Sequence, residues 1–171
     1  MDWWLIVFRL VHVVPAMMWL GGAVIGGFFL QPAAAALGPT GQSFMEYLIK
    51  RRRMGVFFPV VATSTILGGA ALYWVDSGGL QFGWITSPSG MAFTIGGVAA
   101  LAAFVGGLVL IGPGIAEQNA VHAELARGDG VPTDDQRRRL ARAEGRQRLA
   151  GRIDMPLLLL AALTMAVARY L

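Results

Sequence analysis

The sequence predicts an all-α protein: a bundle of four transmembrane helices with a helical hairpin extending into the cytoplasm. Three observations predict this fold. First, the 171 residues are 56% hydrophobic and only 14% charged, whereas soluble domains carry about 25% charged residues. Second, four apolar segments approach or exceed the roughly 20 residues that a helical membrane span needs. Third, the 23 glycines are typical of helices that associate in lipid through close backbone approach.

The whole chain, residues 1–171, is expected to form a single integral membrane domain. The spans are predicted at about residues 3–30, 55–75, 91–111 and 155–171. Four Gly-Gly pairs lie inside these spans and predict helix–helix contacts, namely the pairs at 21–22, 68–69, 96–97 and 106–107.

The basic residues predict the orientation of the chain in the membrane. Segments 31–54 and 112–154 hold all but two of its 14 lysines and arginines. The positive-inside rule makes both segments cytoplasmic and places both termini outside. The aromatic residues expected near the outer boundary agree with this orientation: Trp3, Trp4, Trp74, Trp84 and Tyr170.

The cytoplasmic segments are predicted to be helical. Thr40 is expected to cap a helix running into the second span through Phe44, Tyr47 and Leu48. Residues 115–153 are expected to form two antiparallel helices that turn at 128–132. Thr133, followed by Asp134 and Asp135, is a favourable helix start, because acidic side chains stabilise the positive end of the helix dipole.

The residues able to carry chemistry are few: two histidines, one lysine and no cysteine. The chain is therefore expected not to be an enzyme, and no catalytic residue is assigned. The net charge of +4 does not predict nucleic-acid binding, since the basic residues border the membrane. Arg137, Arg138 and Arg139 are candidates for binding anionic lipid headgroups. His122 is expected on a solvated helix face.

Arg9 and His12 are ionisable residues inside the first span, where such residues mark functional sites by default. Three residues apart, they share one face of the helix. A neutral imidazole there can bind a metal or a haem iron, and an arginine nearby can pair with a haem propionate. Trp19, Gly22 and Gly26 continue along the same side and complete the candidate cofactor site. The alternative is a structural His12 that hydrogen-bonds to Thr63, Ser64, Thr65 or Thr94, with Arg9 reaching outward.

Residues 8–22 carry a recognisable pattern, Arg-x-x-His-x(6)-Trp-x-Gly-Gly, in the stretch FRLVHVVPAMMWLGG. This stretch resembles the first helix of the CopD-like superfamily of small membrane proteins, and the following FFLQPA resembles the end of that helix. The resemblance implies a multi-pass protein of the bacterial inner membrane. The four-helix haem-binding protoporphyrinogen oxidases are similar in architecture and use a first-helix histidine, which His12 matches. They also use a lysine in the third helix, whereas the one lysine here is Lys50.

These observations predict a CopD-like haem-b-binding protein that works in electron transfer or redox sensing. His12 is the expected axial and metal ligand, and Met165 is the nearest soft second ligand. The first alternative is a cofactor-free structural subunit or assembly factor of a larger membrane complex. The second alternative is transport of copper or a small solute. The expected partners are the lipid bilayer, anionic headgroups and other subunits of such a complex.

Overall fold

A computed structural model describes residues 2–128 and 130–171. These residues form helices and no strand, as predicted. Four helices are long and apolar enough to cross a membrane: α1 (Trp3–Ala36), α3 (Met54–Asp76), α5 (Pro88–Leu125) and α6 (Asp134–Ala168). Two shorter helices precede α3 and α5, namely α2 (Pro39–Lys50) and α4 (Phe82–Ile85). The predicted all-α fold with four spans is confirmed.

The four long helices pack as two antiparallel pairs. In the first pair, α1 runs against α3, with His12 beside Gly68 near one end and Gly22 beside Phe58 nearer the other. In the second pair, α5 runs against α6. The pairs meet where α3 contacts α5 and α1 contacts α6. We call one end of this bundle the aromatic end, after Trp3, Trp4, Trp74, Trp84 and Tyr170. The opposite end, which holds the arginines of residues 51–53 and 127–152, is the basic end.

The Gly-Gly pairs lie at helix contacts, which confirms that prediction. In each pair at least one glycine has a side chain of a neighbouring helix where its own Cβ would stand. The neighbours are Phe58 at Gly22, His12 at Gly68 and Gly69, Thr164 and Met165 at Gly96, and Asp154 at Gly106. By contrast, Gly21, Gly97 and Gly107 have no neighbour within 4 Å.

Two of the long helices contain a π-helical segment in the same position relative to a proline. The segment in α1 is Gly26–Leu30, and Pro32 follows. The segment in α5 is Gly107–Ile111, and Pro113 follows. Each proline lacks an N–H and crowds the carbonyl four residues earlier, and the wider π turn accommodates that carbonyl without ending the helix. For this reason α5 continues through Gly112–Pro113–Gly114, where the sequence suggested that its span ends.

The basic end differs from expectation at one helix start and otherwise matches it. Helix α2 begins at Pro39, directly after Gly38, which has φ +55°. Thr40 therefore lies inside the helix and is not its cap. Proline is favourable at the first helical position because its φ is already helical.

The hairpin forms as predicted. At the start of its second helix, Thr133 Oγ1 accepts a hydrogen bond from the backbone N–H of Gln136, and Gln136 Oε1 accepts one from the backbone N–H of Thr133.

Candidate functional site

His12 lies in the contact between α1 and α3, about two turns below the aromatic end. Its backbone and ring occupy a notch formed by two glycines of α3. A Cβ on Gly68 would lie 2.9 Å from the His12 backbone nitrogen, and one on Gly69 would lie 2.8 Å from Nδ1 and Cε1 of the imidazole. The absence of side chains at both positions is therefore what allows the ring to reach the α3 backbone.

The imidazole makes one hydrogen bond, from Nδ1 to the backbone carbonyl oxygen of Thr65, with 2.7 Å between the two atoms. A carbonyl oxygen only accepts, so Nδ1 carries the hydrogen. In the neutral ring, Nε2 then presents a lone pair, and it has no hydrogen-bond partner within residues 2–128 and 130–171. The contact with Thr65 that the alternative, a structural His12, predicts thus exists, through the backbone of Thr65 and not its hydroxyl, which bonds to the carbonyl of Val61.

Arg9 lies one turn closer to the aromatic end, on an exposed part of α1. No residue in the described part of the chain forms an ion pair or a hydrogen bond with its guanidinium. An arginine in this position is free to pair with an anionic group from outside the chain, since its side chain is not committed within the bundle.

The remaining residues of the predicted cofactor face pack against protein. Trp19 makes an edge-to-face contact with Phe104 of α5, with ring centroids 6.4 Å apart. The ring of Phe58 fills the space beside Gly22, where a cofactor ring was expected to find room. Gly26 is the exception, since nothing lies within 4 Å of the position of its Cβ.

Two further residues that sequence reasoning linked to His12 have other contacts. Met165 packs against Gly96 of α5, where its Cγ lies 2.8 Å from the position of a Cβ on that glycine. Thr94 Oγ1 hydrogen-bonds to the phenolic oxygen of Tyr73, with 2.6 Å between the oxygens. Neither residue is engaged with the imidazole in these contacts.

At the basic end, ion pairs join the two arms of the hairpin. Arg139 on α6 donates hydrogen bonds to Glu117 and Glu124 on α5. Hydrogen bonds from Gln136 and Arg139 hold the pKa of the Glu124 carboxyl below its usual value. Arg137 pairs with Asp134. Three arginines were expected to bind anionic lipid, and among them Arg138 has no acidic partner in the described residues.

His122 lies on the hairpin, exposed and far along α5 from the level of His12, as expected. Among the described residues no group of three or more His, Asp or Glu side chains could hold a metal ion. Asp154, the last residue of the predicted cytoplasmic segment 112–154, was assigned no role from the sequence, but its Oδ1 is buried without a hydrogen-bond partner among the described residues.

Comparison of the chain with protein-family models, with curated proteins and with solved structures found no match. The resemblance of residues 8–33 to the CopD-like superfamily therefore stays a prediction, and functional inference depends on the site itself.

Proposed function

We propose that this chain is a small membrane haem-b protein of CopD-like type that works in electron transfer or redox sensing, with His12 as the axial ligand of the haem iron. Bound haem would supply reversible one-electron chemistry. The observation that carries the proposal is the hydrogen bond from Nδ1 of His12 to the Thr65 carbonyl. It fixes the ring orientation and leaves Nε2 as the electron-pair donor.

This arrangement suits a haem ligand. Histidines that bind metals usually donate their other ring N–H to a carbonyl or a carboxylate, which sets the tautomer and makes the ligating nitrogen more basic. His12 has this second partner already. Arg9, exposed and without an ion-pair partner among the described residues, fits the role of a propionate partner. Both residues lie on the first helix, one turn apart.

The filled space at Gly22 limits where a macrocycle would bind. Phe58 occupies that position and Phe104 covers Trp19, so the interior of the bundle at this level is already packed. The side of α1 that carries Arg9 is more open, and α1 has no buried residue along Trp3–Ile25. The residues assigned to the haem are therefore His12 and Arg9, and the contacts of Gly22 and Met165 favour structural roles for those two.

We further propose that the basic end faces the cytoplasm of a bacterial cell and that both termini lie on the other side of the inner membrane. The support is the concentration of lysine and arginine at one end and of tryptophan at the other. Arg138 and the arginines at 51–53 are then placed to contact anionic headgroups of the inner leaflet.

The second candidate is a cofactor-free subunit of a larger membrane complex. The observation that favours it is Arg9 itself, since an exposed arginine inside a span is costly unless a partner neutralises it. An acidic residue of another subunit would serve as well as a propionate. In this case the hydrogen bond of His12 to Thr65 only joins α1 to α3.

The absorption spectrum of the purified protein distinguishes these functions. Protein from haem-replete cells is expected to show a Soret band that shifts on reduction and on addition of carbon monoxide, since His12 is the one protein ligand that we assign to the iron. Colourless protein that copurifies with other membrane proteins would favour the complex subunit. Colourless protein without partners would exclude haem binding and leave His12 as an interhelical contact.

A further inference from the structure

A second unusual group lies on α6 near the basic end, well separated along the helices from His12. The Oδ1 atom of Asp154 is buried and has no hydrogen-bond partner in the described part of the chain. It points at α5, where a Cβ on Gly106 would lie only 2.8 Å from it. The predicted boundary put residue 154 in the cytoplasmic segment, but the contact with Gly106, inside the predicted span 91–111, places its carboxyl group within the bundle. An ionisable side chain there is by default a functional group, because burying it is costly.

Both π-helical segments flank this turn of α6. Gly106 directly precedes the segment Gly107–Ile111 of α5. The residue after Asp154, Met155, packs against Gly27 of α1, with its Cε 2.7 Å from the position of a Cβ on that glycine. Gly27 belongs to the segment Gly26–Leu30. Short π segments within α-helices occur frequently at functional sites, and here both lie beside the turn of α6 that carries Asp154 and Met155.

No basic residue among those that the structure describes forms an ion pair with Asp154. Helix α5 has no titratable residue from Met91 up to Glu117, which is paired with Arg139. Helix α1 has none after His12. On α6 itself, Arg152 is the nearest basic residue, and it is exposed and forms no ion pair with Asp154. Neither α1 nor α5 therefore presents a charged side chain to the carboxyl group at this level of the bundle.

We propose that Asp154 is a proton-binding site that exchanges its proton with the aqueous phase at the basic end. A carboxylate buried without a partner is unfavourable, and the neutral acid is the form that such a contact accommodates. The exposed Arg152 is two residues away, about 3 Å along the helix axis, so the path to water is short. Releasing the proton leaves an unpaired charge between α5 and α6. Proton binding is therefore coupled to the packing of these helices at their π-flanked contact.

Infrared spectroscopy of the purified protein in lipid vesicles at mildly acidic pH tests the proposal. Because Oδ1 of Asp154 is buried without a hydrogen-bond partner among the described residues, a protonated carboxyl band from this residue is expected. The band should shift in deuterated buffer, disappear in Asp154→Asn and persist in the control Asp76→Asn, which changes an exposed acid at the aromatic end. Asparagine has nearly the shape of the neutral acid, so this variant keeps the fold.

Two outcomes would overturn the proposal. If Asp154→Asn removes only carboxylate absorption at this mildly acidic pH, the group is ionised there and binds no proton. If the protonated band is present but does not shift in deuterated buffer, the proton does not exchange. The contact itself is tested by Gly106→Ala, whose new methyl group displaces Oδ1. The protonated band should weaken in this variant. It should stay unchanged in the control Gly97→Ala, where the methyl group meets nothing within 4 Å. A band that is unchanged in both variants would show that the contact with Gly106 does not keep Asp154 protonated.

Discussion

The Nδ1 atom of His12 on α1 donates a hydrogen bond to the backbone carbonyl oxygen of Thr65 on α3, and 2.7 Å separate the two atoms. Because the acceptor belongs to the backbone, no substitution at Thr65 removes it directly. The bond depends instead on how closely α1 approaches α3, which Gly68 and Gly69 permit. The packing of two helices thus sets the orientation of one imidazole and the direction of its free Nε2.

Replacing Gly69 by alanine should therefore disturb haem binding without touching a ligand. The added Cβ would lie 2.8 Å from Nδ1 and Cε1, so the ring must rotate or α1 must move away. We expect haem affinity to fall at least about tenfold, equivalent to ~1.4 kcal/mol. Haem titration followed by the Soret absorbance measures the change. The matched control is Gly21→Ala, whose added methyl group meets nothing within 4 Å. Equal losses of haem affinity in both variants would argue against the role of Gly69 in orienting the His12 ring.

Met165 provides a test of the coordination number. Its side chain packs against Gly96, and we expect a five-coordinate haem with His12 as the sole protein ligand. Met165→Leu keeps the apolar volume, since leucine and methionine exchange at small cost in packed cores. The spectrum and the carbon monoxide affinity should both stay unchanged. A shifted Soret band in this variant would show that the thioether binds the iron.

The hairpin at the basic end should loosen in acid. Hydrogen bonds from Gln136 and Arg139 lower the pKa of Glu124 in the folded chain, so the contribution of this group to stability is complete above its unfolded pKa of about 4.3. That contribution is lost as the pH falls through the lower folded value. Cleavage by an acid-stable protease between Gly128 and Gly130 should accelerate over that range. The Arg139→Gln variant should be cleaved faster already at neutral pH. A cleavage rate that is the same in both proteins and at every pH would show that the ion pairs do not stabilise the hairpin.

The proposed orientation has its own test in reporter fusions. A reporter that is active only in the cytoplasm should work when inserted at Gly130 in the hairpin turn. The same reporter should be inactive when fused after Leu171, because the fourth span carries the chain from the cytoplasm to the opposite side. Activity of the C-terminal fusion would reverse the orientation, while activity at both sites would contradict four spans.

The sequence predicts the helices well because their signals are local. Apolar length defines the four spans, and the turn before Thr133 with its acidic first helical turn defines the hairpin, which the capping hydrogen bonds with Gln136 confirm. The start of α2 shows the limit of such reasoning, since Thr40 and Pro39 are both acceptable near a helix start. The positive φ of Gly38 and the fixed φ of the proline decide in favour of Pro39.

The site is less predictable because it depends on how each helix is rotated against its neighbours. The pairing of Gly22 with Phe58, of Gly96 with Met165 and of Gly106 with Asp154 is set by contacts between distant segments. The π-helical segments leave a trace in the sequence, a glycine six residues before a proline in both α1 and α5, but two occurrences of so short a pattern do not predict a widened turn. His12 and Arg9 stand out in the sequence because charge within an apolar span is visible without a structure.

The haem content of three purified proteins tests the central claim most directly: the wild type, His12→Ala and His122→Ala, each produced in haem-replete cells. The claim predicts about one haem per chain in the wild type and in His122→Ala, whose histidine lies exposed on the hairpin, and none in His12→Ala. Circular dichroism confirms that the helices remain in all three. Haem retained by folded His12→Ala, or absent from the wild type, would contradict the claim that His12 binds haem.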